Sequence, residues 1–165
     1  MRHYLERGTT TVEFAIVGSL FFMVLMGVLE FGRALYTWNT LSEVARRGAR
    51  VAAVCPLYHS AIERVALITS PGDTGGSPFV HGLLPEHIQT QYLDEDSNNI
   101  ADPIGNYSDI KFVRVSINGF QYTTLIPFVG PHRIFSTPGF DATLPRESLG
   151  ISADSATPVC FGSQT

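Results

Sequence analysis

Four oxygen-bearing side chains in the second half of the chain have the spacing of ligands in a calcium-binding loop. Counted from the first, they stand at positions 1, 3, 5 and 9, where an EF-hand loop has ligands: Asp94, Asp96, Asn98 and Asp102. The pattern is incomplete, because Asn99 stands where such a loop needs Gly and Gly105 where it needs a bidentate Glu. The sequence therefore favours a solvated acidic loop, and a calcium site is the alternative.

Motifs of the common catalytic and cofactor sites are absent from the sequence. It contains no phosphate-binding loop, no G-x-S-x-G, no H-E-x-x-H and no C-x-x-C. The five histidines are isolated or lie on unlike segments, as packing and surface histidines do. We therefore expect a protein that is not an enzyme and needs no cofactor, and no residue pattern favours an unrecognised hydrolase site.

Charged residues are scarce and unevenly distributed. Only 16% of the 165 residues are charged, against roughly 25% in an ordinary soluble domain. Residues 1–64 hold seven Arg and five Glu, a net charge of +2, whereas residues 65–165 hold one Lys and three Arg against ten acids, a net charge of −6. Because phosphate neutralisation needs a basic face, nucleic acid is not an expected partner. The length allows one domain plus an appendage.

An uncharged run of sixteen residues near the N-terminus accounts for the low charge. The run, FAIVGSLFFMVLMGVL, extends from Phe14 to Leu29 between Glu13 and Glu30. As a helix it would be about 24 Å long, less than the roughly 30 Å hydrocarbon core of a bilayer. Because it is apolar on all faces, it favours a transmembrane helix over about 14–31, and the core helix of a soluble domain is the alternative. Arg33 lies three residues after Glu30, so the two can pair or snorkel at the interface.

The helical pattern continues beyond the apolar run. Apolar residues recur at three- and four-residue steps as far as Ala52, and Glu43 precedes Arg47 by four residues, an order that favours a helical ion pair. Cys55-Pro56 ends the pattern, so we expect one helix from about Thr11 to Val54. A cleaved secretory signal would instead have a cleavage site and a break in the helical pattern just after its apolar block, so the continuing pattern disfavours such a signal.

The N-terminal segment resembles a known family in four blocks that keep their order and spacing. The blocks are Arg7-Gly8, Val12-Glu13-Phe14, EFGRALY from Glu30 to Tyr36, and ARRGAR from Ala45 to Arg50. Together they resemble the N-terminal segment of TadE-like proteins, the pseudopilins or minor pilins of the tight-adherence (Tad/Flp) pilus, which are type IV pilin-like. The rest of the chain matches mainly through FVRVSINGFQYTTLIPF, which resembles the alternating strand and Leu-x-Pro ending of such proteins.

The resemblance implies a processed membrane subunit. Residues 1–8 would be a class III-type leader, cleaved between Gly8 and Thr9 by a prepilin peptidase. Glu13 would then be the fifth residue of the mature chain and would pair with the new α-ammonium of a neighbouring subunit; the alternative is a carboxylate that snorkels to the interface. Phe14 stands where a Tyr commonly follows this Glu in major pilins, which favours an accessory subunit.

The same resemblance implies the partners and the location. The partners would be other pilin-like subunits (TadF-like or the major pilin), the prepilin peptidase and inner-membrane lipid. The protein would cross the bacterial inner membrane once, with its N-terminus cytoplasmic and its C-terminal domain periplasmic; whether it enters the pilus stays open. A literal charge count points the other way, because Arg46, Arg47 and Arg50 also follow the span. These three lie about 25–30 Å beyond Leu29, however, and close to the span Arg2 and Arg7 precede it while only Arg33 follows it, which agrees with this orientation.

We expect residues 56–165 to form a small domain, which the resemblance places in the periplasm. We expect a short helix over 59–69, strands over 87–93 and 111–117, and an edge strand over 140–149 that Pro145 limits. Asn118-Gly119 permits a tight hairpin turn, but the family pattern favours one strand that runs on through Tyr122. The predicted fold class is α+β: a long, partly transmembrane helix (9–55), then a domain with a short helix and an antiparallel sheet packed on the emergent helix.

The two cysteines of the chain, Cys55 and Cys160, lie at the end of the long helix and near the C-terminus. In an oxidising periplasm they would form a disulfide. It would close a loop of about 105 residues and contribute up to roughly 4–5 kcal/mol. Two free buried thiols are the alternative.

These features lead to the hypothesis of a non-catalytic pseudopilin whose helix packs against other pilin-like helices during assembly or priming. Six small residues would permit close approach of helix backbones: Gly18, Ser19, Gly27, Gly32, Gly48 and Ala49. The alternative is a membrane-tethered periplasmic binding module in which the helix is only an anchor.

Overall fold

The computed structural model of the 165-residue chain describes residues 3–70, 75–124, 134–136, 139–151 and 160. The chain divides into two compact units, which we describe separately. The first unit comprises Met1–Tyr36 and Thr123–Ile134, and the second comprises Thr37–Tyr122 and Phe135–Thr165.

Helix α1 extends from His3 to Val54 and contributes to both units. It ends where the sequence predicts, because Pro56 cannot continue the hydrogen-bond ladder. It begins earlier than the expected start near Thr11, so the segment before Thr9 is part of the helix. In the first unit, α1 exposes its apolar side chains on every face from Val12 to Leu29.

In the second unit, α1 is a core element. Its buried side chains recur at the three- and four-residue steps that the sequence predicts, and they are mostly small: Leu41, Val44, Ala45, Ala49 and Ala52. The opposite face carries Glu43, Arg46 and Arg50, which are exposed. This part of α1 therefore belongs to an amphipathic helix whose apolar face packs inside the domain.

A short helix, α2 (Ala61–Leu67), follows the turn after Pro56 and matches the expected second helix. Its buried residues are Ala61, Ile62, Ala66 and Leu67. Ile68 ends the helix in a left-handed conformation with φ of 60°, and its N–H bonds back to carbonyls of the last turn.

The described residues after α2 include five short strands: β1 (Ile88–Leu93), β2 (Phe112–Ile117), β3 (Gln121–Thr123), β4 (Ile134–Ser136) and β5 (Phe140–Pro145). Three of them form an antiparallel sheet in the order β1-β2-β5, while β3 pairs with β4. In the central strand, Val113, Val115 and Ile117 are buried, as the predicted alternation requires. The fold is therefore α+β, as predicted.

The expectations for Asn118-Gly119 are both wrong. Strand β2 ends at Ile117, and Gly119 has a φ of +74°, a left-handed conformation that glycine adopts readily. Strand β3 pairs with β4, so it neither continues β2 nor forms a hairpin with it. The physical reason is that β1 and β5 already occupy both edges of β2. The Leu-x-Pro ending at 125–127 lies outside the described residues.

The helix packs closely on the sheet at Gly48. A Cβ atom at this position would lie 2.9 Å from Cγ1 of Val115 on β2 and 3.3 Å from Cβ of Ala66 on α2. Glycine therefore permits three elements to meet at one point. Nearby, the Trp38 ring packs edge-on against Phe140 of β5, with 4.9 Å between ring centroids.

The end of α1 is held by the C-terminal segment of the chain. The N–H groups of Glu147 and Leu149 donate to the Ala53 carbonyl, and that of Gly150 donates to the Val54 carbonyl. These bonds satisfy helix carbonyls that have no partner within the helix. Cys55 and Cys160 form a disulfide at the same place, with 4.9 Å between their Cα atoms.

Replacing Gly48 with Leu should destabilise the domain by about 2–3 kcal/mol, because the new side chain overpacks the junction of α1, α2 and β2. Urea unfolding followed by the fluorescence of Trp38, the single tryptophan, measures this loss. Arg50→Leu, on the exposed face of the same helix, is the control and should change stability by at most about 0.5 kcal/mol. Equal unfolding midpoints for the two variants would contradict the packing argument.

Replacing both Cys55 and Cys160 with Ser should lower the free energy of unfolding by about 2–5 kcal/mol, because the disulfide closes a long loop. Reductant should shift the wild-type midpoint to that of the double variant and leave the double variant unchanged. Recovery of two separately alkylated thiols from native, unreduced protein would show that the bond does not form.

Candidate membrane and assembly helix

The first unit contains one helix that is long and apolar enough to cross a membrane. Its most apolar window has a mean hydropathy of 2.3, and none of that window is buried within the described chain. The core helix of a soluble domain would be mostly buried, so this observation disfavours the alternative. Phe14 illustrates the exposure, since its side chain is 78% accessible.

The energy of this exposed surface is large compared with the stability of a domain. Twelve large apolar side chains between Phe14 and Leu29 are exposed. At 1.5–3 kcal/mol for complete burial of each, their remaining exposure to water would cost on the order of 10–20 kcal/mol. A whole domain is stable by only about 5–15 kcal/mol. The segment therefore requires an apolar environment, either lipid or other helices.

The polar groups within the apolar run are compatible with such an environment. The Ser19 hydroxyl donates to the Ile16 carbonyl at 2.9 Å, so its hydrogen bond is made within the helix. Three glycines on the run and just after it have no atom near enough to touch an added Cβ: Gly18, Gly27 and Gly32. These positions leave space beside the backbone for another helix.

Two of the six small residues expected to face other helices do not do so. Gly48 packs against Val115 and Ala66, and Ala49 is fully buried in the second unit. Both residues belong to the core of the chain's own domain. The sequence pattern alone does not distinguish the two uses of a small residue, because each requires close approach of backbones.

Glu13 lies on the exposed surface of α1, one turn after Thr9. Its neighbours along the same face of the helix, Thr9 and Val17, are also exposed. A carboxylate in this position is available to a positive charge from another chain. The predicted cleavage bond between Gly8 and Thr9 lies within α1.

At the other end of the apolar run, Glu30 and Arg33 form the predicted ion pair. Their side chains approach to 2.6 Å, and that of Glu30 is only 13% exposed. Arg33 also donates to the carbonyl of Thr123, the last residue of β3. No local pattern in the sequence predicts this second contact, because ninety residues separate the partners.

Further along α1, Glu43 and Arg47 form the second predicted ion pair, at 2.8 Å. The hydrogen bond from the Arg47 guanidinium lowers the pKa of the Glu43 carboxyl. Both side chains are largely exposed, so the pair contributes little to stability.

The residues of the calcium alternative are used in local turns. Asp94 accepts a hydrogen bond from the Asn98 N–H at 2.8 Å, which lowers the pKa of the Asp94 carboxyl. Asp102 instead accepts one from the Gly105 N–H, at 3.1 Å. Among the described residues, no group of three or more His, Cys, Asp or Glu side chains is arranged to hold a metal ion. In the described residues, Asp94 and Asp102 therefore each accept a hydrogen bond from a backbone N–H within their own turn.

Comparison with known proteins identifies the N-terminal segment. Residues 8–50 match the family model described as TadE-like protein, which confirms the resemblance in the motifs. The match covers about a quarter of the chain and includes Glu13, the apolar run and the first part of the helix in the second unit. No curated protein and no solved structure matches the chain.

Proposed function

We propose that the protein is a non-catalytic pseudopilin, or minor pilin, of a Tad-type pilus. The observation that carries the proposal is the family match over residues 8–50, which falls on a helix whose apolar half is exposed on every face. The helix would pack against other pilin-like helices in the bacterial inner membrane, and the second unit would contact a TadF-like subunit or the major pilin. In this role the protein supports assembly or priming of the fibre.

The N-terminus of α1 would lie in the cytoplasm and the second unit in the periplasm. Arg2 and Arg7, close to the span on its N-terminal side, favour that orientation over the reverse. The Cys55–Cys160 disulfide supports it as well, because such bonds persist in the periplasm and are rare in the cytosol.

Glu13 would pair with the α-ammonium group that cleavage creates at Thr9 of a neighbouring subunit. In a bundle of helices surrounded by lipid, an unpaired carboxylate is costly, so a positive partner is strongly favoured. The exposed position of Glu13 on α1 leaves its carboxylate accessible to another chain. The pair would also fix the axial register between two helices whose remaining contacts are apolar and non-directional.

Replacing Glu13 with Gln should reduce pilus assembly by at least about tenfold, since loss of one member of a buried ion pair costs several kcal/mol. Counting surface pili in cells that express the variant measures the effect. Glu43→Gln is the matched control, because Glu43 is an exposed, ion-paired carboxylate on the same helix, and it should assemble normally. Trp38 fluorescence should be the same in both variants, which separates assembly from folding. Normal piliation in the Glu13 variant would exclude the pairing role.

Processing by a prepilin peptidase should remove residues 1–8. Mass spectrometry of protein purified from the membrane should give a chain that begins at Thr9. Gly8→Leu should block this cleavage, because it alters the residue before the cleaved bond, whereas Gly18→Leu within the apolar run should be processed normally. A full-length chain in cells that contain an active peptidase would contradict this part of the proposal.

The second candidate function, a membrane-tethered binding module, is favoured by one observation, an open groove in the second unit. The two functions differ in what they require of the helix. If residues 14–29 are exchanged for an unrelated apolar span, a pseudopilin should lose assembly, whereas a tethered module should keep its function.

A further inference from the structure

A groove in the second unit lies beside the first strand of the three-stranded sheet. Its volume is about 380 Å³, and it is lined by Tyr58, His59, Ile62, Glu63 and residues 88–91 of β1. We propose that this groove binds an extended, basic segment of a partner protein, which adds to the sheet as a fourth strand beside β1. The proposal goes beyond the pilus role and does not depend on the membrane helix.

The register of the sheet determines which backbone groups of β1 point away from β2. His87 accepts a hydrogen bond from the Asn118 N–H, so odd-numbered residues of this strand face β2. Ile88, Thr90 and Tyr92 therefore turn their N–H and C=O groups towards the outer edge. One outward group at each end is used within the chain: the Ile88 N–H donates to Pro85, and the Tyr92 carbonyl accepts from Ile100.

Thr90, between them, is the position open to a new strand. In the part of the chain that the structure describes, no hydrogen bond engages its outward N–H or C=O group. A donor and an acceptor on one residue match the backbone of an extended chain, which supplies both groups at the same spacing. An added strand would satisfy these groups at the point where the groove is open.

The two edge strands of the sheet, β5 and β1, differ in the features that discourage pairing with another strand. Strand β5 carries Asp141 and ends in Pro145, and a charge and a proline both discourage pairing with another strand. Strand β1, with the sequence IQTQYL, has neither a charge nor a proline. The middle of the β1 edge, at Thr90, therefore has neither of these two protective features.

Tyr58, which lines the groove, packs against Tyr92 of β1. The Tyr58 N–H donates to the hydroxyl of the fully buried Tyr92 at 3.0 Å, and the two rings meet edge to face with centroids 5.2 Å apart. Burial raises the pKa of Tyr92 to about 12, although the hydrogen bond from the Tyr58 N–H acts in the opposite direction. Tyr58 is held at a φ of 55°, and its ring is more than half exposed. The result is a fixed aromatic surface beside the open edge.

The charge of the groove lining indicates which kind of segment the groove would bind. Glu63 is exposed on the groove wall, and no Lys or Arg is among the described residues that line the groove. Residues 65–165 carry a net charge of −6, so a second copy of this chain would bring like charge to the interface. A segment with Lys or Arg among its side chains is complementary to this surface.

The test uses the full chain in detergent micelles and a displayed library of random linear peptides as the probe. Selected peptides should be rich in β-branched residues and carry Lys or Arg. Synthetic versions should bind the wild-type chain, and N-methylation of alternate amides should abolish binding because it removes the donors of the added strand. Selection of acidic or wholly apolar peptides, or of none, would overturn the proposal.

Thr90→Pro removes the outward N–H group without removing a bond to β2, so the fold should survive. It should weaken peptide binding by about tenfold, the effect of one lost backbone hydrogen bond in a dry interface. Thr90→Val, which keeps the N–H group, is the control and should bind as the wild type does. Equal binding by the two variants would exclude strand addition.

A charge variant gives a second, independent measurement. Glu63→Lys should weaken binding of a basic peptide by about threefold to tenfold, whereas Glu95→Lys, an exposed acid outside the groove, should not. If Thr90→Pro fails to fold, the comparison of Glu63→Lys with Glu95→Lys tests the proposal instead. Equal binding of the basic peptide by these two charge variants would contradict the proposal. Sedimentation tests the alternative occupant, a second copy of this chain. If the wild type is a dimer and Thr90→Pro dissociates it, a second copy fills the groove and the proposal is wrong.

Discussion

The close approach of α1 to the sheet at Gly48 is the contact on which the second unit depends. A sheet of three short strands has too little apolar area to be stable alone, and it needs a helix against its buried face. The absence of a side chain at Gly48 lets Val115 and Ala66 reach the helix backbone. Hydrogen bonds from Glu147 and Gly150 then satisfy the last carbonyls of the helix. The helix is therefore both the centre of the core and the attachment point of the C-terminal segment.

Residue size along α1 reflects the two environments of the helix. In the exposed apolar run most side chains are large, as Phe14, Phe21 and Leu29 illustrate, and no close packing within the described chain limits their volume. In the second unit the buried face is dominated by alanine and glycine, because the sheet and α2 must approach closely. The same helical periodicity thus continues through both units while the side chains change in volume.

Local patterns in the sequence predicted those elements whose stability is itself local. The alternation around Val115 and the helix ending before Pro56 follow from side-chain periodicity and backbone chemistry, and the structure confirms both. Strand partners depend on distant segments, so the interpretation of Asn118-Gly119 was wrong. The contact of Arg33 with the Thr123 carbonyl was not predicted for the same reason. Glu13 was identified from the motif alone, and the partner proposed for it would lie on another chain, so no pattern in this sequence can specify it.

The distribution of charge relates the membrane helix to the domain that follows it. Residues 65–165 carry a net charge of −6, so anionic lipids of a bilayer surface would repel this part of the chain. The apolar run, in contrast, would lose on the order of 10–20 kcal/mol if it left an apolar environment for water. The apolar run and the acidic residues therefore favour different surroundings, apolar for the first and aqueous for the second.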